Sequence, residues 1–375
     1  MEIGPDAYPF PFRDVMLVNN STPDSAAEMA AYDLATGELR WRSGKANGTV
    51  AGWLNPEPES NQLYAPAHTR SAQVPNGTMI FGTDTRAVDA ATGAVLWQRI
   101  GDELAATAER VLLGDRDERG RVTGLHLVRS RDGAPVWDRA IAPALNVVVS
   151  EDPTDSARIV YTTETGTLTT LRYADGVPLA TRDVPEPPSE LSWLPQLLGG
   201  QFYDIRNGPE TTITAYRTDT LTELWRYSRA GEMYLQDCGP VLCAADALLA
   251  TGIDPATGAQ RWQVPSAGIT SIEGGRLLFG NPNDPGYQSV ADASSGRVIR
   301  TAPAGSTILA LDDGDLLVLR DTKHAPYRVS VSRWDPSTGR TTLLGAVPGR
   351  TDTCQTTGRR LACQGAGRVG VTDLG

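Results

Sequence analysis

The side chains able to carry chemistry are few in this 375-residue chain: three histidines, four cysteines and one short acidic run. His68, His126 and His324 are far apart, with neither the i, i+4 spacing of a helical metal pair nor a serine-bearing turn beside them. Neither a zinc-bound water nor an activated hydroxyl is indicated by that arrangement. His126 falls in Leu125-His126-Leu127, where alternation makes it a strand residue, while His68 and His324 lie in loop-like sequence. Asp115-Arg116-Asp117-Glu118-Arg119-Gly120 has some of the oxygen donors of a calcium loop but lacks the full acidic set and the distal Glu, so it reads as an exposed turn. Cys238, Cys243, Cys354 and Cys363 show no Cys-x-x-Cys spacing and no neighbouring histidine, which argues against zinc and leaves disulfides.

The elements that position these groups repeat. Ala87-Val88-Asp89-Ala90-Ala91-Thr92-Gly93 leads to Trp97, Ala31-Tyr32-Asp33-Leu34-Ala35-Thr36-Gly37 to Trp41, and Gly252-Ile253-Asp254-Pro255-Ala256-Thr257-Gly258 to Trp262. Weaker copies place a turn glycine at 133, 176, 296 and 339, with Leu221 standing in once. An Asp closes one strand and caps the turn, Thr or Ser supports it, and Gly supplies the positive φ of a tight hairpin. Four residues after the turn residue come Trp41, Trp97, Trp137, Trp225 and Trp262, with Ala180, Arg300 and Leu343 in the other three copies. Most steps are near forty residues, the period of a four-stranded propeller blade.

Short apolar runs such as Arg110-Val111-Leu112-Leu113, Arg158-Ile159-Val160-Tyr161 and Arg276-Leu277-Leu278-Phe279 read as strands buried between sheets, and no stretch has sustained helical periodicity. The fold class expected is all-β: a closed propeller of four-stranded antiparallel blades, eight by count, spanning 1–375 as one domain. Strands after the last turn, Arg360-Leu361-Ala362-Cys363 and Arg368 to Asp373, are left over from that count, so either N-terminal strands complete the last module or the chain comes from a longer precursor. The long step from Gly37 to Gly93 implies an insertion around Glu57 to Asn76. Its loops offer Trp53, Tyr64, His68 and Arg70 as candidate partner contacts, because aromatics and arginine anchor interfaces. Each cysteine pair occupies the first and second strands of its module, a repeated placement that favours Cys238–Cys243 and Cys354–Cys363 among the three possible connectivities.

The Ala-x-Asp-x-x-Thr-Gly-x-x-x-Trp repeat resembles the PQQ-like β-propeller family, including BamB-like repeats, over nearly the whole chain. That resemblance implies tryptophans docked between neighbouring blades, and it raises two functions. One is a noncatalytic scaffold that binds a protein or ligand through its loops, in envelope assembly or sensing. The other is a quinone- and calcium-dependent dehydrogenase, whose relatives hold the quinone against adjacent cysteines; no Cys-Cys pair occurs here. The scaffold is the expectation, with no cofactor and no catalytic or metal residue assigned.

A formal net charge of −11 argues against nucleic acid as partner, and the arginines at 116, 119, 121, 129 and 131 are interrupted by acids. No apolar run is long enough to span a bilayer, and the first residues do not resemble a signal peptide. Disulfides nevertheless point outside the cytoplasm, so an export segment or membrane anchor upstream is expected.

Overall fold

The computed structural model describes residues 8–20, 28–43, 55–57, 60–74, 77–150, 157–184, 194–266, 268–281, 284–311, 313–322, 327–365 and 368–374. The chain divides into two compact units, residues 1–20, 30–40 and 233–375 forming one, and 21–29 with 41–232 the other. Apart from one short 3-10 turn at Thr351–Thr353, the described elements are β-strands in antiparallel sheets.

Each sheet is a meander in which sequence order equals spatial order, the simplest outcome when apolar runs are joined by tight hairpins. Four-stranded sheets occupy 8–42, 55–100, 196–230, 234–265, 269–301 and 307–348. A seven-stranded sheet spans 102–183 because one long strand, Pro135–Val149, serves two modules: up to Ala144 it pairs with Val122–Arg129, and from Ala144 onward with Arg158–Thr163. The leftover C-terminal strands, Cys354–Thr357, Arg360–Gly365 and Arg368–Asp373, form a separate three-stranded sheet among the described residues, and the described N-terminal strands from Tyr8 onward make a sheet of their own.

Apolar side chains collect between successive sheets. In the second unit, Leu112, Leu125, Ile159 and Leu171 fill the layer between the third and fourth modules, and Val160, Leu168, Phe202 and Tyr216 the next. In the first unit, Leu277 and Phe279 pack on the sixth module's Cys243 and Trp262. The terminal sheet packs on the opening one through Ala362 and Val369 against Met16, Val18 and Leu34. Strands buried on both faces explain the continuous apolar runs seen in the sequence.

Candidate interaction surface

The eight turns share one geometry. At 37, 93, 133, 176, 221, 258, 296 and 339 the turn residue has φ between +51° and +78°, Leu221 included, and its N–H donates to the carbonyl four residues earlier. Five turns place Asp at that earlier position, where its carboxylate also accepts turn amides: Asp33 Oδ1 takes Ala35 and Thr36, and Asp254 Oδ1 takes Ala256 and Thr257, all within 3.0 Å. Side-chain hydrogen bonds from Ser337 and Thr338 hold the Asp335 carboxyl down at about 2. The other three copies put Arg129, Arg172 or Arg217 there instead.

The tryptophans read these turns. Trp41 Nε1 donates to Ala90 O at 2.8 Å, Trp137 Nε1 to Tyr173 O at 2.9 Å and Trp262 Nε1 to Ala293 O at 2.9 Å, and Trp97 reaches Ser130 O in the same way. Each acceptor lies three residues before the next module's turn glycine, and the indole covers that glycine. A Cβ on Gly93 would stand 2.7 Å from Trp41, and one on Gly296 2.7 Å from Trp262. Trp225 is buried against Tyr203, ring centroids 5.8 Å apart. Sequence reasoning treated Arg300 as a departure from the repeat, yet its Nε donates to Pro336 O at 2.7 Å and its guanidinium lies over Gly339, as an indole would. The cue was available, since Arg is the other side chain that pairs a planar face with a terminal N–H donor. Leu343, at the docking position of the eighth module, is 70% exposed: the terminal sheet has no described fourth strand or turn to cover it.

Both disulfides are present, Cys238–Cys243 and Cys354–Cys363, and no cysteine is free. The second joins residues directly opposite each other on adjacent strands.

The expected insertion is a ribbon, not a loop. Strands Gln62–Val74 and Gly77–Asp89 pair along their whole length, but Asn55–Glu57 pairs only with 62–64 and Val95–Ile100 only with 84–88, so from about residue 69 the hairpin continues as two strands alone. Register shifts lie on either side of His68, the kind of irregularity that bends a strand locally. Its base is fixed by polar groups. His68 N–H donates to Asp84 Oδ1 at 2.8 Å, His68 Nδ1 lies 2.9 Å from the same carboxylate, and Gln98 Nε2 donates to Asp84 Oδ2. Gly82 N–H donates to Asp102 Oδ1 at 3.0 Å, and Arg116, ion-paired to Asp102 at 2.9 Å, lies over the buried Phe81 ring. Gly82 lacks a Cβ for a reason: one would stand 2.7 Å from that Asp102 oxygen.

His68, Thr69, Arg70 and Ser71 are exposed in succession, so both faces of the ribbon meet solvent there. Ile100, 75% exposed, extends this surface across the base, since it pairs with Asp84. Tyr64 corrects the sequence reading: it is 1% exposed, its ring 5.9 Å from Trp97 and its hydroxyl on Gln62, so it belongs to the core and offers no contact surface. It alternates onto the buried face of a strand that sequence had treated as loop. Trp53 and His324 lie outside the described residues.

The other chemical candidates are paired with neighbouring groups. His126 sits between two carboxylates, Nε2 at 2.8 Å from Asp115 and Nδ1 at 2.7 Å from Asp138. Burial alone would lower its pKa, but the two acids outweigh that and hold it above the ordinary histidine value. Asp117 caps its own turn through Arg119 N–H and Arg121 N–H and pairs with the Arg121 guanidinium, so the calcium-like run is a hairpin. Among the described residues no cluster of three His, Cys, Asp or Glu can hold a metal, and no helix is long and apolar enough to cross a membrane.

A family model described as outer membrane protein assembly factor BamB matches residues 118–343, more than half of the chain. The crystal structure of BamB from Moraxella catarrhalis is similar, with 13% identity and a TM-score of 0.50 over 92% of this chain and 97% of that one. The crystal structure of a eukaryotic initiation factor is similar too, with 12% identity and a TM-score of 0.60 over 92% of this chain and 88% of that one. Likeness at such identity shows the fold. No curated protein matches the chain.

Proposed function

The chain belongs to the BamB family of PQQ-like repeat proteins, and from that premise we propose that it is a noncatalytic, extracytoplasmic scaffold that captures a protein partner through the 62–89 ribbon. In this reading the eight four-stranded modules and the terminal sheet close into one propeller, supported by the packing of Ala362 and Val369 on Met16, Val18 and Leu34. Closure would hide sheet edges and hold the ribbon base rigid. The observation that carries the proposal is the ribbon itself. A two-stranded extension, with Ala72 and Phe81 buried but His68, Thr69, Arg70 and Ser71 exposed in succession, is marginal on its own, and a partner would add burial along that exposed stretch. Two disulfides support a location outside the cytoplasm, and the family's description supports envelope assembly as the setting.

The test is a ribbon-trimmed protein in which 73–78 is replaced by Asn-Gly and Thr69 and Arg70 by Ser, leaving Tyr64, Ala72, Phe81, Gly82, Asp84 and the sheet intact. Trimming should abolish capture of the wild-type partner while the thermal transition stays put. Undiminished capture rejects the ribbon. Quinone- and calcium-dependent dye reduction by the purified wild-type protein rejects the noncatalytic assignment.

A further inference from the structure

A position that repeats along the chain carries the inference. The second strand of several modules opens with arginine, and each such guanidinium has a built-in acceptor except one. Arg158 Nε donates to Asp219 Oδ1 of the following module at 2.7 Å. Arg276 donates to Gly314 O at 2.7 Å and to Glu273 O, and Arg360 reaches Arg13 O. Arg110, half-buried at the same position in the third module, has no hydrogen-bond or ion-pair partner for its side chain among the described residues.

The third and fourth modules can be compared group by group. In both, the opening arginine stands directly across from another arginine, Arg110 from Arg129 and Arg158 from Arg172. In both, that second arginine is neutralised from its own turn, Arg129 by Asp132 at 2.8 Å and Arg172 by Asp175 at 3.2 Å. They differ in the acceptor from the next turn. Asp219 lies two residues before Leu221, and the residue two before Gly176 is Ala174, an exposed side chain with no oxygen to offer. Like charges opposed across strands are unfavourable, and a half-buried guanidinium left without a counterion adds to that cost. Beside Arg110 lies a cavity of about 360 Å³, lined by Ala108, Glu109, Arg110, Arg129, Ser130 and Arg131. Glu109 is exposed and makes no ion pair with Arg110, while Arg131 reaches Asp132 only at 3.5 Å and is 75% exposed at the rim.

We propose that this cavity is a binding site for a small oxyanion, a carboxylate or phosphate group that neutralises Arg110 as the Asp219 carboxylate neutralises Arg158. Arg110 supplies the planar donor pair such a group favours, and Arg131 closes over it from the rim. The site is independent of the ribbon, so neither proposal depends on the other.

The test titrates the purified protein calorimetrically with inorganic phosphate and, separately, with acetate, in a buffer free of both. One-to-one binding of at least one of the two is expected, and the tighter of the two identifies the source of the oxyanion. Arg110→Gln should weaken that binding about tenfold or more, as loss of a charge-assisted donor pair implies. Ala174→Asp, which builds the fourth module's acceptor into the third, should abolish binding while raising the thermal midpoint. This second variant protects the test from a folding defect, because it adds an ion pair and removes nothing. No heat with either anion, or binding equally strong in both variants, overturns the proposal.

Discussion

Replacing Gly296 by Ala tests the docking of indole on turn more sharply than removing the indole does. Two penalties are stacked at that position. The first is backbone strain: φ is +65°, and a side chain in the left-handed region costs about 1–2 kcal/mol. The second is contact, because the new Cβ would stand 2.7–2.9 Å from Trp262 Cδ2, Cγ and Cε3. The ring must lift, which overpacks a buried layer at about 1–3 kcal/mol and strips Ala293 O of its donor at about 1 kcal/mol more. Gly275→Ala, in the same module with φ +69° and nothing within 4 Å of its Cβ, carries the strain alone. Urea unfolding of the two variants should therefore give a loss of about 1–2 kcal/mol for Gly275→Ala and about 3–6 kcal/mol for Gly296→Ala. In a Trp262→Ala background the extra cost at Gly296 should vanish, because neighbouring substitutions are not additive. Equal losses in the two single variants, or an undiminished Gly296 penalty without the indole, would refute the docking argument.

Further outcomes follow from the same geometry. Trp262→Ala should cost about 3–5 kcal/mol, whereas Leu343→Ser at the equivalent but 70% exposed position should cost under about 1 kcal/mol, as read from urea midpoints. The His126 pKa is raised in the fold, so its contribution is complete below the unfolded value near 6.5 and is lost as pH rises through the folded one. The stability gap between wild type and His126→Gln should accordingly shrink from pH 6 to pH 9, and a gap that widens would contradict the double-acid clamp. Asp335 has the opposite sign: its turn stabilisation is present above the unfolded value of 3.8 and lost as pH falls towards 2, so Asp335→Asn should differ from wild type at pH 6 and converge with it at pH 2. Removing the Cys354–Cys363 bridge by double alanine substitution should cost roughly 2–3 kcal/mol, since the loop it closes is short.

The turns were the most legible part of the fold. Asp, Thr and Gly act through their own backbone within a few residues, so local sequence carries the whole cause, and even Leu221 at positive φ could be placed by spacing alone. Both disulfides were legible for the same reason, each spanning one hairpin. The ribbon was not. Pro66, Gly77 and Gly82 look like loop residues, and their strand conformation depends on a partner strand and on Asp102 in the next module. Tyr64 was misplaced with them, because burial on an unrecognised strand cannot be read from its neighbours. Arg300 and Arg110 were hidden by a different cause: each acts, or lacks its counterpart, about forty or more residues away, a distance at which only the repeated geometry makes the relation visible.

The ribbon-borne scaffold function is tested most directly by comparing wild-type and ribbon-trimmed protein as baits in the native envelope, with matched thermal transitions as the control for folding. The expected result is a partner set captured in stoichiometric amount by the wild type and absent from the trimmed protein. An identical partner set on both baits would contradict it.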